Sequence, residues 1–517
     1  MRKTFILAIL DGWGQGEFNE SNPIYSAGLE TIKEIENKFP SGALQASGIA
    51  IGLPWEEEGN SEVGHLTLGA GRVLYQYFPK ISMTIEDGSF FEIPALKNAF
   101  AHARENNSAV HLVGLLTKGN VHASLDHLEA LVEMAAKEKF QKLYLHLFSD
   151  GRDSPPRSVL YLFEKVQNIL KNKNVGTVAS LIGRYFAMDR DNHWDRTEKA
   201  YQTITGGIEK TAGLEEAVKN LYGKDLDDEY LEPVIFEPHP IDTNDAVIFF
   251  NFREDSIRQL SEVFISPEFD KFPTKSLENV SVTTMTEYTE GQRAEFAFPK
   301  NRVQNPLGKV LSDKGLTQLR IAETEKYAHV TYFFNGLQEA PFPNEFRILI
   351  PSKTNIRQEE NPEMMAREIT DRAIVALKDG GFDFILINYA NPDIIAHTGN
   401  YSATVEAVRV VDRELRRLIR EVIAGDHALI ITSDHGNAES VLNLQTGEPE
   451  TFHDPSPVPV YLIAKQFEKP FSIQAAVQQK LPVIGILSDI APTILELMGI
   501  PKPADMSGES LLGQLTS

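Results

Sequence analysis

The stretch Gly59-Asn60-Ser61-Glu62-Val63-Gly64-His65 sets one hydroxyl between glycines that let backbone and substrate approach closely, as a serine nucleophile requires. Leu66, Leu68 and the following Gly69-Ala70-Gly71 imply that Ser61 stands on a turn leading into a tightly packed helix, a rigid seat for such a group. A Ser/Asn cap on an ordinary helix would read the same way, so support must come from elsewhere in the chain. Asp393-x-x-x-His397, the adjacent Asp434-His435, a later His453 and the early Asp11 supply it. Oxygen and imidazole donors without sulfur suit manganese, zinc or a similar divalent ion. One Asp–His pair is more often structural, but several pairs at the ends of inferred strands point to ligands. Two ions beside Ser61 would make a phosphoryl-transfer site, one lowering the hydroxyl pKa and both neutralising the developing charge.

A third group carries positive charge. Arg152, Arg184, Arg190 and Arg253, with His122 and Asp153 nearby, stand where inferred strands end, and guanidinium forks bind phosphate and carboxylate bidentately. They read as a pocket for a small acid bearing a phosphate, whereas Arg157, Arg196 and Arg293 read as surface salt-bridge partners. Nucleophile and arginines fall in different parts of the chain, so the active site is expected in a cleft between two domains that close on the substrate.

The elements that must position these residues are parallel strands. Thr4–Leu10 is a continuous apolar run ending at Asp11-Gly12, the pattern of a strand covered on both faces. A helical pattern follows over roughly Pro23–Phe39. Further runs at Val110–Leu115, Leu143–Phe148, Gly176–Ile182 and Ala246–Phe250 alternate with helices and imply a second α/β sheet. The first style resumes with Gln318–Ala322, Asp383–Tyr389 and His427–Thr432. The simplest account is an α/β protein of two domains: residues 1–77 and 306–517 form one domain, which carries the candidate metal ligands, interrupted by an inserted α/β domain at 80–300, which carries the candidate substrate-binding arginines; the family resemblance given below makes the first phosphatase-like. Linkers fall near 76–79 and 301–306. A helix from about Ala403 to Ala424 carries Arg413, Arg416, Arg417 and Arg420 on a solvated face.

Composition limits the partners. In 517 residues with 42% hydrophobic content there is ample core, and a formal net charge of -23 argues against nucleic acid or an anionic membrane as partner. The absence of cysteine excludes disulfides, thiolate nucleophiles and Cys-ligated zinc; it leaves the redox compartment open while fitting a reducing cytosol. Met1-Arg2-Lys3 before an apolar run imitates a signal peptide, but the run is short and ends at Asp11-Gly12-Trp13-Gly14 without a cleavage site. No transmembrane span is expected.

Taken together, Asp11-Gly12-Trp13-Gly14, the Ser61 stretch, Ser149-Asp150-Gly151-Arg152-Asp153, Gly183-Arg184-Tyr185, Met188-Asp189-Arg190-Asp191, Phe250-Asn251-Phe252-Arg253, Ala322-Glu323-Thr324-Glu325-Lys326-Tyr327-Ala328-His329-Val330, Asn391-Pro392-Asp393 through His397-Thr398-Gly399, and Ser433-Asp434-His435-Gly436-Asn437-Ala438-Glu439 resemble the cofactor-independent (2,3-bisphosphoglycerate-independent) phosphoglycerate mutases of the alkaline phosphatase superfamily, over essentially the whole chain. The resemblance implies that Ser61 is the phosphorylated nucleophile, with Asp393, His397 and His453 on one metal ion and Asp11, Ser61, Asp434 and His435 on the other. It further implies that His122, Arg152, Asp153, Arg184, Arg190 and Arg253 contact phosphoglycerate and that Lys326 lies near the transferring phosphoryl group. The family pattern has another arginine three residues after Arg253; this chain has Ser256 there, and its next arginine is Arg258. Ala396 and the Phe452 and Asp454 neighbours of His453 also depart from it.

The expected activity is therefore interconversion of 3-phosphoglycerate and 2-phosphoglycerate through phosphoserine 61, with catalytic roles for Ser61, Asp153 and Lys326. Two divalent ions are expected, Mn2+ first and Zn2+, Co2+ or Mg2+ as alternatives, with no need for 2,3-bisphosphoglycerate, in a cytoplasmic monomer. A metal-dependent phosphatase or other phosphomutase of the superfamily is the alternative, and a non-catalytic phosphoacid-binding protein is a third reading.

Overall fold

Phe5–Leu10 is wholly apolar and buried from its second residue onward, so it has to lie inside a sheet covered on both faces. In the computed structural model, which describes residues 3–208, 211, 213–300, 302–353, 357–443, 445–469 and 480–516, it is an interior strand of an eight-stranded sheet. Met1, Arg2 and Asn301, on which expectations about the leader and second linker fell, lie outside the described residues. The chain forms two units, Met1–Gln76 with Arg302–Ser517, and Tyr77–Asn301.

In the first unit, Phe5–Leu10 pairs in parallel with Phe384–Tyr389 on one side and Ala428–Thr432 on the other. Gln318–Glu323 pairs in parallel with Phe384–Tyr389, and Glu345–Ile350 forms the edge beyond it. The register sets Leu10 against Tyr389 and Ile9 against Thr432, so the chain leaves all three central strands at the same level. On the other side Val458–Ala464 and Ser41–Gln45 add antiparallel neighbours, and Val483–Ile486 forms the far edge. These outer strands escape a reading by apolar runs: Ser41–Gln45 is short with polar ends, Glu345–Ile350 is half exposed, and Val458–Ala464 carries Pro459.

The pattern at Pro23–Phe39 is not one helix but two, Pro23–Ser26 and Glu30–Lys38, because Gly28 turns the chain at φ 64°. Asp412, on the long helix Tyr401–Ala424, accepts from the Thr31 and Ile32 amides and caps the second of them. On that long helix Arg413 pairs with Glu406 and Arg416 with Glu30, each at 3.0 Å, and Arg417 pairs with Asp371 and Glu414. Such half-exposed pairs contribute little to stability.

The second unit is a seven-stranded sheet in the order Val234–Ile235, Thr177–Gly183, Leu143–Ser149, Val110–Leu116, Ala246–Phe249, Ser281–Thr286, Glu295–Phe298, parallel except for the first strand. Ser149 is level with Leu116 and Gly183, so the loops carrying His122, Arg152 and Arg184 emerge together. No described helix of the chain is long and apolar enough to cross a membrane.

Two buried histidines make this unit acid-sensitive. His146 bonds Ser180 and His111 within the sheet, and burial pushes its pKa well below 6.5; His127, beside Ser82, is pushed down to about 3 by burial. A histidine harder to protonate folded than unfolded binds fewer protons in the native state. Stability is therefore full above about 6.5 and falls as pH drops, by about 1.4 kcal/mol per histidine per pH unit until the folded value is reached. Thermal melts of parent and His127→Gln are expected to converge as pH falls from 7 to 4, the variant losing less; parallel curves would refute the account.

Candidate active site

Ser61 is the first residue of the helix Ser61–Ala70, and the Asn60 side chain caps it by accepting from Val63 N at 2.9 Å. The helix presses against the loop after Ala428–Thr432: a Cβ on Gly64 would lie 2.6 Å from the Asp434 carbonyl oxygen. At the end of the first strand Gly12, at φ +69°, leaves room for Asp393 in the same way. Both glycines thus serve close approach of the loops that bear the carboxylates.

The result is a buried cluster. Ser61 Oγ lies 2.9 Å from His435 Nε2 and 3.1 Å from Asp11 Oδ1, and accepts from Lys326 Nζ at 2.6 Å. Lys326, in the turn after Gln318–Glu323, also bridges Asp11 at 2.6 Å and Asp393 at 2.7 Å. Burial works against its ammonium, yet Asp11, Asp393 and Asp434 hold its pKa above the ordinary lysine value. Although burial favours their neutral forms, Lys326 and the neighbouring histidines hold Asp393 and Asp434 well below the usual carboxylate range. Burial likewise works to lower His435, but Asp434, Asp11 and Asp393 outweigh it and keep its pKa at about 10.

Three imidazoles are aimed by their far nitrogens. Nδ1 of His397 bonds the Thr451 carbonyl at 2.9 Å, that of His453 the Gly59 carbonyl at 2.7 Å, and that of His435 the Gly436 carbonyl at 3.2 Å. A carbonyl only accepts, so each Nδ1 carries a proton and Nε2 is the nitrogen each ring turns inward; its lone pair is free on the neutral ring, which His435, held protonated by its carboxylates, reaches only when its Nε2 proton is displaced. His397 Nε2 and His453 Nε2 come within 3.1 Å of each other, and within 3.2 and 3.6 Å of Asp393 Oδ1. Lone pairs converging on carboxylates are a cation site. Asp393, His435 and His453 form one group whose donor atoms lie within 4.8 Å of one another, and Asp11, Asp434 and His435 form another. Asp434 Oδ2 is buried with only the His65 imidazole, 3.1 Å away and already bonded to the Ser61 carbonyl, beside it, and three carboxylates face a single ammonium, so the residues fit divalent ions. His435 belongs to both groups, which the spacing of the sequence did not indicate.

Three positioning residues carry no role in the sequence reading. Asn388 donates to Asp11 Oδ2 at 2.7 Å and lies 3.0 Å from His65 Nε2. His65 bonds the Ser61 carbonyl at 2.8 Å, and Asn437 donates to Asp393 Oδ1 at 2.8 Å. The signal for Asn388 is a lone amide inside the apolar strand FILINY; Asn437 stands inside a motif already singled out.

In the second unit, a cavity of about 370 Å³ is lined by His122, Arg152, Asp153, Arg184, Arg190 and Arg253, together with Arg196 and Ser256. Arg184 is buried between Asp150 at 2.6 Å and Asp153 at 3.2 Å, while Arg152 forks onto Glu229. Burial and then Arg184 lower the His122 pKa, leaving a neutral ring 4.0 Å from Asp153. Arg157 is a surface partner of Asp225 and Arg293 is exposed, but Arg196, paired with Asp189 and lying over Tyr185, reaches the cavity. Arg258 turns away and donates to the Tyr288 carbonyl at 2.9 Å.

A buried serine among carboxylates and imidazoles at the ends of parallel strands of an α/β sheet is the arrangement of a phosphoryl-transfer enzyme that depends on divalent metal. A family model described as BPG-independent PGAM N-terminus matches residues 81–290. The chain is 42% identical over 519 residues to 2,3-bisphosphoglycerate-independent phosphoglycerate mutase 2 of Methanosarcina acetivorans, covering 99% of this chain and 98% of that one. It is also 42% identical over 520 residues to 2,3-bisphosphoglycerate-independent phosphoglycerate mutase of Moorella thermoacetica, covering 99% of each. Among solved structures it resembles a phosphoglycerate mutase of Leishmania mexicana determined at low cobalt concentration, with 28% identity, a TM-score of 0.54, and 98% and 97% of the two chains covered. The chain belongs to the family of 2,3-bisphosphoglycerate-independent phosphoglycerate mutases.

Proposed function

We propose that this enzyme interconverts 3-phosphoglycerate and 2-phosphoglycerate by passing the phosphoryl group to Ser61 and back. The observation that carries the reading is the position of Ser61 Oγ, which accepts from the Lys326 ammonium, lies 2.9 Å from His435 Nε2 and donates to the Asp11 carboxylate, so that the cation favours the alkoxide and the carboxylate can take the proton. Two divalent ions, Mn2+ first and Zn2+, Co2+ or Mg2+ as alternatives, would be held by Asp393, His397 and His453 and by Asp11, Ser61, Asp434 and His435, and would supply Lewis acidity that lowers the serine pKa. Ser61 attacks the phosphorus in line, and Lys326 follows the charge that develops on the phosphoryl oxygens. Arg152, Arg184, Arg190 and Arg253 hold the glycerate by its carboxylate while it reorients, and Asp153, beside His122, moves a proton between the two hydroxyls. Ser61 lies in the unit of residues 1–76 and 302–517, and the four arginines lie in the unit of residues 77–301. A cytoplasmic monomer is the setting we propose.

Transfer of labelled glycerate into phosphoglycerate during turnover, counted against free phosphate, tests the reading: isomer formation should dominate. Ser256 favours one other outcome, since a pocket short of an arginine holds glycerate less firmly and lets water compete, as in a phosphatase. Arg253→Ala is accordingly expected to raise phosphate release relative to isomerisation by about tenfold; an unchanged ratio in that variant would remove Arg253 from glycerate retention.

A further inference from the structure

Two of the cavity's arginines are held by a single carboxylate. Asp255 Oδ2 accepts from Arg253 Nε at 3.1 Å, Arg253 Nη2 at 3.0 Å and Arg190 Nη1 at 3.1 Å. Its Oδ1 accepts from Ser256 Oγ at 3.1 Å and faces His122 Nδ1 at 3.6 Å. An acid group thus meets a guanidinium fork, a second guanidinium, a hydroxyl and an imidazole, the surroundings that a small ligand's carboxylate would seek in this cavity. Residue 256 decides how Asp255 is shared. An arginine there would offer it another cationic partner; Ser256 offers a neutral hydroxyl, and Arg258 points to Tyr288 instead.

We propose that Asp255 is an internal stand-in for the ligand's acid group, occupying Arg190 and Arg253 until phosphoglycerate displaces it, and that Ser256 leaves it free to do so. The identity of the ligand rests on the mutase reading. The side chains of Arg190 and Arg253 are 58% and 49% exposed and that of Asp255 28%, so these pairs are weak enough to exchange for a ligand. A carboxylate bound only to brace the arginines would act in the opposite direction, because its loss would loosen them and weaken binding.

Calorimetric titration of the full chain with 3-phosphoglycerate, and in parallel with inorganic sulfate, separates these cases. Asp255→Asn is expected to tighten binding of both by about three- to tenfold. Asp191→Asn is the control, since it removes an equal charge from the cavity lining beside Arg190 without holding either arginine; it is expected to change binding less than twofold. Ser256→Arg is expected to tighten binding as well, with a smaller gain when Asp255 is already asparagine. Binding that is unchanged or weaker in Asp255→Asn, an equal gain in Asp191→Asn, or gains from the two changes that simply add would each overturn the proposal. A parent protein that binds sulfate but does not isomerise phosphoglycerate would sink the mutase reading alone, leaving the sulfate series to decide on Asp255.

Discussion

Ser61→Ala is expected to lose isomerisation by about 10⁴-fold or more while retaining its fold and most of its metal. The helix start survives the change because its cap is the Asn60 side chain, which accepts from Val63 N. Lys326 keeps its two carboxylate partners, Asp11 and Asp393, so no buried charge is orphaned. What disappears is the hydroxyl that faces His435 Nε2 and Asp11 together. Quenched-flow trapping of labelled phosphoryl on the protein should show one equivalent in the parent and none in the variant, with metal content measured on the same samples. A variant that still isomerises at the parent rate would remove the covalent route.

Removal of metal is expected to abolish activity, and the affinity of the stripped protein for Mn2+ should rise with pH. Without an ion the carboxylates hold protons on the histidines: His435 is kept near 10, and Asp393 raises His397 through a direct hydrogen bond. A metal must displace those protons, so its apparent dissociation constant falls about tenfold per pH unit for each proton released, up to about pH 10 at His435. Activity at limiting metal therefore drops toward acid, and excess Mn2+ restores part of it. Titrations in two buffers of different ionisation enthalpy count the released protons directly. Full activity after exhaustive chelation, or a pH-independent affinity, would contradict the arrangement of lone pairs around Asp393.

The fold class was legible in the sequence because interior parallel strands must be apolar throughout, and FILAIL, FILINY and VHLVGLL are nearly so. Edge strands obey no such constraint, which is why Glu345–Ile350 and Ser41–Gln45 left no comparable trace. The chemistry of the site was legible in residue type, since Asp, His and Arg recur where strands end. Their mutual geometry was not. That His435 faces both carboxylate groups, and that Asp255 holds Arg190 and Arg253, depend on register and side-chain direction, which spacing along the chain does not encode.

The position of Phe5–Leu10 between Phe384–Tyr389 and Ala428–Thr432 also sets an order of events during synthesis. Of the described strands this one leaves the ribosome first, yet it has no neighbour until about three-quarters of these 517 residues have been made and lacks its second until more than four-fifths, whereas the inserted unit, Tyr77–Asn301, is continuous and holds all its own strands. The insert can therefore be complete while the apolar FILAIL segment still lacks its partners, and closure of the first sheet is a late event of long sequence separation. Asp11, Asp393 and Asp434 are brought together only in that step, so a nascent chain is held from metal chemistry until its sheet is nearly finished.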